Sequence, residues 1–224
     1  MFKRVAGAAL VIALTLVFTS GSALAVEPTN LSIHKQEMAT YVATGEYAQS
    51  VAAVALSAHK YLAKRIPQGA KPGKKLAIVF DIDETLLSNL LHIVANDYGY
   101  VPKVWDRWVT SGQATAIIPI QTVYDAAREA KIDIIIITSR KESDRVATER
   151  NLQQVGYENW TRIFFKPETT EQPLSNAGFK TDTRRKLTQE GYTIIANIGD
   201  QDSDLANGYA ERTFKIPNPF YLTK

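Results

Sequence analysis

The sequence predicts an α/β protein: a doubly wound, five-stranded parallel sheet with helices on both faces. Three observations support this fold class. Five short segments rich in aliphatic residues alternate with segments of helical periodicity. The segments between the predicted strands are long enough for the right-handed crossovers of a parallel sheet. Polar residues directly follow three of the strands, at the sheet edge where such folds bind ligands.

The first element predicted after the N-terminal segment is helical and spans residues 31–65. Ser32 is expected to cap this stretch, and Gly45 is expected to divide it into two helices. Glycine, proline and lysine dominate residues 67–75, which predicts a turn-forming connection into the sheet. Residues 26–74 are therefore assigned to an N-terminal helical extension.

Five strands and three intervening helices are predicted from residue 75 onwards. The strands are residues 75–80, 131–138, 162–165, 192–198 and 212–216, and the helices are residues 120–130, 142–154 and 181–191. The first strand is short and almost wholly apolar, which is typical of a central strand covered on both faces. Residues 75–224 are assigned to one α/β core.

The helical and strand patterns weaken between residues 87 and 119, where aromatic residues gather. Trp105 and Trp108 lie in this segment, among glycines and prolines that interrupt regular structure. The segment follows the acidic end of the first strand, so we predict a small cap that contacts the organic part of a ligand. The alternative is that these aromatic residues only seal a small helical subdomain.

The first 25 residues have the features of a secretory signal peptide. Lys3 and Arg4 give a positive start, an apolar stretch too short to span a membrane follows, and residues 23–25 form a small-residue cleavage pattern. We predict cleavage after Ala25, export, and no stable membrane anchor afterwards. The alternative is a retained anchor.

Cysteine is absent from the sequence. Its absence excludes disulfides, thiol nucleophiles, cysteine zinc sites and lipid attachment through cysteine. The chain has 26 basic and 23 acidic residues, and loss of Lys3 and Arg4 with the signal peptide would leave 24 basic against 23 acidic. This near balance argues against a nucleic-acid polymer as an electrostatic partner.

Asp81 and Asp83 directly follow the first predicted strand. If the extended geometry continues, both carboxylates project to the same side. Their repulsion is costly without a cation or a shared proton, and Mg²⁺ suits oxygen-rich sites of this kind. The alternative is a structural turn in which Asp83 or Thr85 caps the following helix.

Polar groups also end the second and fourth predicted strands. Thr138, Ser139 and Arg140 end the second, and Asp200 follows the fourth. Because the carboxyl ends of parallel strands share one edge, these groups are expected to meet the acidic pair there. The sequence therefore predicts a metal- or phosphate-binding site at that edge.

In combination and order, these motifs resemble the haloacid dehalogenase (HAD) superfamily of aspartate-nucleophile phosphatases. The chain is most similar to its subfamily IIIB, the class C bacterial and plant vegetative-storage-protein-like acid phosphatases. The segments that carry the resemblance are residues 81–89, 136–140, 180–185, 199–205 and 216–221. The resemblance runs from about residue 31 to the C-terminus.

The resemblance implies a role for each motif residue. Asp81 would be the nucleophile that forms an aspartyl phosphate, since a carboxylate is already ionised at mildly acidic pH. Asp83 would be the general acid and then the base that activates water, which favours an acid pH optimum. Thr138, Ser139 and Lys180 would bind the phosphoryl oxygens.

The resemblance also implies a Mg²⁺ ion. Its ligands would be the Asp81 carboxylate, the Asp83 main-chain carbonyl and the Asp200 carboxylate. Arg140 is either a substrate contact or a solvated cation at the end of a strand.

Two of the implied roles have competing candidates. Lys166 follows the third predicted strand and competes with Lys180, which we expect just before a helix. Asp202 competes with Asp204 for a supporting position, in which the carboxylate orients a metal-bound water or the lysine.

The implied activity is that of a secreted, Mg²⁺-dependent acid phosphomonoesterase acting on small organic phosphate monoesters. Tyr221, with Trp105 or Trp108, would stack on a nucleobase or an aryl leaving group, so 5′-nucleotides and aryl phosphates are the expected substrates. The expected location is periplasmic or extracellular. The alternatives are a weakly active storage or binding protein on the same fold, and a phosphotransferase that passes phosphate to an alcohol.

Overall fold

The computed structural model describes residues 27–168 and 174–223. The predicted signal peptide lies outside these described residues. The helices are α1 (Leu31–Ala43), α2 (Glu46–Arg65), α3 (Leu90–Ala95), α4 (Pro102–Ser111), α5 (Ile118–Glu129), α6 (Arg145–Gln154), α7 (Asn176–Gln189) and α8 (Asp202–Leu205). The strands are β1 (Lys75–Phe80), β2 (Leu87–Ser88), β3 (Thr115–Ala116), β4 (Asp133–Lys141), β5 (Arg162–Lys166), β6 (Tyr192–Gly199) and β7 (Thr213–Lys215).

Five of the strands form one parallel sheet, in the order β5-β4-β1-β6-β7. The predicted α/β fold is thereby confirmed. β1 is the central strand, and Phe80 at its end pairs with Ile136 of β4 and Ile198 of β6. Its apolar side chains suit a position with neighbours on both sides and helices above and below. The residue after β1 therefore emerges in the middle of the sheet edge.

Helices cover both faces of this sheet. On one face, α2 and α5 pack on alternate residues of the central strands, including Ile78 and Phe80. On the other face, Phe179 and Leu187 of α7 pack against a second buried cluster around Val79. Burial of apolar surface at about 25 cal/mol per Å² makes these two clusters the main source of stability.

The N-terminal extension consists of α1 and α2, which Gly45 separates with a left-handed backbone (φ 81°). α1 begins at Leu31, two residues earlier than a cap at Ser32 would allow. Its N-cap is Asn30, whose side chain accepts a hydrogen bond from the Ser32 N–H at 2.9 Å. The Ser32 cap prediction was wrong because Ser32 lies inside the first helical turn, where its amide is the donor.

Two element boundaries differ from the sequence-based expectation in the region of the site. β4 continues to Lys141, three residues beyond the predicted end. α7 begins at Asn176, because Ser175 caps it by accepting a hydrogen bond from the Gly178 N–H. Lys180 therefore lies inside α7, not before a helix as predicted.

The segment predicted as a cap contains α3 and α4. The short strands β2 and β3 pair antiparallel at its base, where Leu87 lies opposite Ala116. This pairing brings the two ends of the segment together, so that it leaves and re-enters the core at one place. None of the helices in the described part of the chain has the length and apolarity needed to cross a bilayer.

Candidate active site

Three neighbouring strands deliver polar groups to one edge of the sheet. Asp81 directly follows β1, Ser139 and Arg140 lie in the last residues of β4, and Asp200 directly follows β6. A cavity of about 440 Å³ opens above this edge. Its floor is lined by Asp81, Asp83, Lys180, Asp200 and Asp204, and its walls include His92, Tyr98, Trp105, Phe220 and Tyr221. The acidic residues predicted from sequence thus meet two of the three aromatic candidates, Trp105 and Tyr221, around one concave space.

A buried lysine links two of the carboxylates. Lys180 Nζ lies 2.5 Å from Asp81 Oδ1 and 2.6 Å from Asp204 Oδ1. α7 supplies the lysine from its second turn, directly beneath the end of β1. Although burial alone would lower the pKa of Lys180, the two carboxylates raise it above its usual value. Lys180 is therefore held as a cation.

Asp81, Asp200 and Asp204 form a compact carboxylate cluster. One oxygen from each lies within 4.8 Å of the others, and all three residues are buried. Burial raises the pKa of Asp81 well above its usual range, and the charges of Asp204 and Asp200 raise it further, against the opposing effect of Lys180. Three buried carboxylates against one ammonium leave excess negative charge, which a divalent cation would balance. The donor set therefore fits a divalent metal ion.

Asp200 is held by two side-chain amides. Gln201 Nε2 and Asn218 Nδ2 each donate to Asp200 Oδ2 at 2.6 Å. Burial, followed by the charge of Asp204, raises the pKa of Asp200 to about 7 despite these hydrogen bonds. The carboxylate is thus oriented but costly to ionise without a further cation.

Asp204 packs directly against the backbone at the end of β6. A Cβ atom at Gly199 would lie 2.5 Å from both Cβ and Oδ2 of Asp204, so only glycine fits there. Asp204 Oδ2 also accepts a hydrogen bond from the Gln201 N–H at 2.8 Å. Asp202, the competing candidate from sequence, is exposed and lies outside the cluster.

The Asp83 side chain does not join the carboxylate cluster. It faces Arg140, which donates from Nη2 to Asp83 Oδ1 at 2.7 Å and from Nε to both oxygens at 3.2 Å. Asn89 Nδ2 donates to Asp83 Oδ1 at 2.9 Å. Arg140 is thus a buried partner of Asp83 and not a solvated cation. It also lines the cavity, so a contact with substrate stays a prediction.

The other phosphate-binding candidates occupy different depths. Ser139 lines the cavity, whereas Thr138 is fully buried and its Oγ1 accepts a hydrogen bond from the Arg140 N–H at 3.1 Å. The Thr138 hydroxyl keeps its own proton available to donate. Lys166, the alternative to Lys180, donates to Asn176 Oδ1 at 2.8 Å and does not line the cavity.

The three aromatic candidates divide into two groups. Trp105 and Tyr221 line the cavity, but Trp108 does not. Trp108 stacks on His92, with ring centroids 5.4 Å apart, and its Nε1–H donates to Asn89 Oδ1 at 2.8 Å. The position of Trp108 therefore does not support the prediction that it stacks on substrate, because one face is covered by His92 and its polar edge is turned towards Asn89.

Two residues of the site, Glu84 and Asn89, lie within the motif at residues 81–89, but the sequence predicted no role for them. Glu84 is buried with a left-handed backbone (φ 51°), which is uncommon for a non-glycine residue. It accepts hydrogen bonds from the Asn89 N–H at 2.6 Å and from the Tyr221 hydroxyl. Burial, and then the charge of Asp83, raises the pKa of Glu84 to about 7. No periodicity marks Glu84 or Asn89, although the unusual density of polar residues after an apolar strand was a usable signal.

The chain matches the family model of the HAD superfamily, subfamily IIIB (acid phosphatase), over residues 8–224. The stem 28 kDa glycoprotein of Glycine max is 35% identical over 152 residues, which are 66% of this chain and 60% of that protein. Acid phosphatase 1 of Solanum lycopersicum is 32% identical over 147 residues, or 64% of this chain and 57% of that protein. Vegetative storage protein 1 of Arabidopsis thaliana is 35% identical over 147 residues, or 64% and 54%, respectively. The chain thus spans little more than half the length of these relatives.

Among solved structures, the class C acid phosphatase from Bacillus anthracis superposes with a TM-score of 0.69 at 24% sequence identity. The superposition covers 86% of this chain and 87% of that one. At this identity the similarity shows a common fold. Taken with the family match over nearly the whole chain, it supports one conclusion: the chain belongs to the HAD superfamily, subfamily IIIB, the acid phosphatases.

Proposed function

We propose that this chain is a secreted, Mg²⁺-dependent acid phosphomonoesterase that works through an aspartyl-phosphate intermediate. The observation that carries the proposal is the buried bridge of Lys180 between Asp81 and Asp204, with Asp200 in the same cluster. A structural role alone gives no reason to gather three carboxylates beneath an open cavity. The arrangement is suited to binding and transferring a phosphoryl group.

In the first step, an Asp81 carboxylate oxygen attacks the phosphorus atom of the monoester. The new oxygen–phosphorus bond forms as the bond to the leaving oxygen breaks, and Asp83 gives its proton to that oxygen. Lys180, Ser139 and Thr138 would neutralise or hydrogen-bond the phosphoryl oxygens in flight. The alcohol leaves and Asp81 carries the phosphate.

In the second step, Asp83 takes a proton from a water molecule, whose oxygen attacks the phosphorus. The bond between phosphorus and Asp81 breaks, releasing inorganic phosphate and the free carboxylate. Asp81, Asp200 and the Asp83 main-chain carbonyl would hold Mg²⁺, which when bound supplies positive charge against the phosphoryl oxygens. Asp204 would keep Lys180 directed at Asp81, because it accepts the second hydrogen bond of the ammonium.

The proposed substrates are small organic phosphate monoesters, with 5′-nucleotides and aryl phosphates first. The cavity of about 440 Å³ suits a ligand of this size. Trp105 and Tyr221 in its walls offer flat apolar surfaces beside the acidic floor. A phosphate group on the floor would place an aromatic leaving group between these walls.

The decisive experiment is phosphate release from 4-nitrophenyl phosphate by the wild type and by Asp81→Asn. The wild type should turn over, and Asp81→Asn should lose essentially all activity while keeping its circular dichroism spectrum. Asp202→Asn is the matched control, because Asp202 is exposed and outside the cluster. Substantial turnover by Asp81→Asn would refute the nucleophile assignment, and activity that survives EDTA would refute the metal requirement.

A second candidate function is supported by the storage proteins among the relatives. In that case the wild type would bind phosphate esters with little turnover.

A phosphotransferase would differ from a hydrolase in its products. Added glycerol would then receive the phosphoryl group in place of water, in proportion to its concentration. We favour hydrolysis because the proposed nucleophile, acid and lysine are all present.

A further inference from the structure

We propose that Trp108 is a positioning residue for proton transfer: it fixes the side-chain amide of Asn89, and Asn89 in turn holds the carboxylate of Asp83. The inference rests on the proposed function, in which Asp83 protonates the leaving oxygen. It gives the cap helix α4 a part in the reacting centre that does not require contact with the substrate.

The Asp83 carboxylate is held from two sides. Arg140, from β4, makes three hydrogen bonds to it, and Arg140 is itself fixed by a 3.1 Å donation from its Nη1 to Thr148 Oγ1. Asn89, just before α3, donates from the other side. Asp83 keeps a side-chain exposure of 20%, so one part of the carboxyl group still faces the cavity. Its orientation therefore depends on both partners.

The orientation of the Asn89 amide follows from its partners. Asn89 is fully buried, its Oδ1 accepts from Trp108 Nε1–H at 2.8 Å, and its Nδ2 donates to Asp83 at 2.9 Å and to Glu84 Oε2 at 3.2 Å. The indole Nε1–H can only donate, so the amide atom that faces it must be the oxygen. A flipped amide would present its oxygen to two carboxylates and its NH₂ group to another donor.

Trp108 is well placed to impose this orientation. Its ring is stacked on His92 with an interplanar angle of 28° and packs against the main core. These contacts hold the indole in one position, so its N–H donates to Asn89 Oδ1 from a fixed direction. Loss of that donor would leave Asn89 Oδ1 buried without its partner, and the amide would be held only through the contacts of its NH₂ group with Asp83 and Glu84. Asn89 would then fix the Asp83 carboxylate less firmly. We therefore expect slower proton transfer from Asp83 to the leaving oxygen, while the residues on the cavity floor that bind the phosphate keep their positions.

The test is the dependence of kcat/KM on the leaving group in Trp108→Phe, which keeps an aromatic ring and removes only the N–H. An alkyl oxygen needs a proton as it leaves, whereas 4-nitrophenolate does not. We expect kcat/KM to fall about tenfold for glycerol 2-phosphate and less than about twofold for 4-nitrophenyl phosphate, a fraction of what a general acid contributes. Trp160→Phe is the matched control: Trp160 packs on the core away from the site, and both rates should stay at the wild-type level.

Asn89→Ala, alone and combined with Trp108→Phe, tests whether Trp108 acts on Asp83 through Asn89. Asn89→Ala should show the same leaving-group dependence, and adding Trp108→Phe to it should cause no further loss, because Trp108 acts through Asn89. Equal losses for both substrates, no loss in Trp108→Phe, or additive losses in the double variant would each overturn the inference and leave the proposed function intact. A wild type that turns over neither substrate would overturn the proposed function, and the inference with it.

Discussion

Lys180 Nζ lies 2.5 Å from Asp81 Oδ1, although the two residues are 99 positions apart in the chain. The contact joins α7 to the end of the central strand β1, and both side chains are buried. A buried ion pair is a weak source of net stability, but removing one partner leaves the other charge uncompensated. Substituting one member of the pair should therefore change both catalysis and stability, and measuring the two effects separately distinguishes its chemical role from its structural one.

Lys180→Met should lower kcat by at least about 100-fold, in the range seen when one donor to a developing negative charge is removed. It should also lower the free energy of unfolding of the metal-free protein by about 3–5 kcal/mol, because Asp81 and Asp204 lose their shared cation. Phosphate-release assays and urea denaturation measure the two effects. Lys166→Met is the matched control and should keep most of its activity, since Lys166 itself does not line the cavity and only donates to Asn176 at its rim. A larger loss in Lys166→Met than in Lys180→Met would reverse the assignment of the phosphate-binding lysine.

The metal-free protein should lose stability as pH rises from 5 to 8. The folded state binds the Asp200 proton more tightly than the unfolded state, since the pKa is raised from 3.8 to about 7, and Glu84 behaves in the same way with a pKa of about 7. Between the unfolded and folded pKa values, each rise in pH therefore favours unfolding. Thermal unfolding followed by circular dichroism in EDTA would measure this. A melting temperature that rises over the same interval would contradict the prediction.

Added Mg²⁺ should stabilise the protein more at pH 7.5 than at pH 5, because metal binding requires ionised carboxylates. At 100 times the dissociation constant the gain is about 2.7 kcal/mol, or roughly 5–10 °C in melting temperature for a domain of this size. Asp200→Asn should remove most of the shift, and Asp202→Asn should keep it. The same shift in wild type and Asp200→Asn would place the ion elsewhere.

Tyr221→Phe should loosen the C-terminal segment while leaving its aromatic surface in the cavity. The substitution removes the hydroxyl that donates to buried Glu84, a loss of about 1–2 kcal/mol in the free energy of unfolding. Urea denaturation would measure it. Tyr209→Phe is the control, because Tyr209 is exposed and should tolerate the change within about 0.5 kcal/mol. Equal stability of the two variants would mean that the contact with Glu84 contributes nothing.

The exported protein should begin at Val26. Lys3, Arg4 and the apolar stretch after them predict a signal peptide that is removed after Ala25. Intact-mass measurement of the protein recovered outside the cytoplasm decides the point. A mass that still includes residues 1–25 would favour the retained anchor.

The sequence predicted the sheet well because its strands are nearly continuous apolar runs. β1 was predicted with its observed bounds, and the polar residues after β1, β4 and β6 were expected at one edge. Strand ends and helix starts were less predictable, since they depend on local hydrogen bonds. The Ser175 cap, for example, moves the start of α7 five residues before the predicted helix and places Lys180 within it.

The supporting contacts of the site could not be read from spacing. Trp108 lies 19 residues from Asn89, and the bond between them exists only because α4 docks against the core. Arg140 and Asp83 are 57 residues apart and meet because β4 is the neighbour of β1. Sequence patterns predict which residues belong to a strand or a helix, but these pairings depend on tertiary packing.

The packing of α2 has a practical consequence for anyone shortening this chain. A fragment starting at Lys75 would retain the sheet and every residue to which we assign a chemical role. It would also lack Val51, Ala55, Ala58 and Leu62, the buried side of α2 that shields one face of that sheet from water. An uncovered apolar sheet invites self-association. The minimal active fragment must therefore reach back to at least Glu46, into a region that contributes no reacting group.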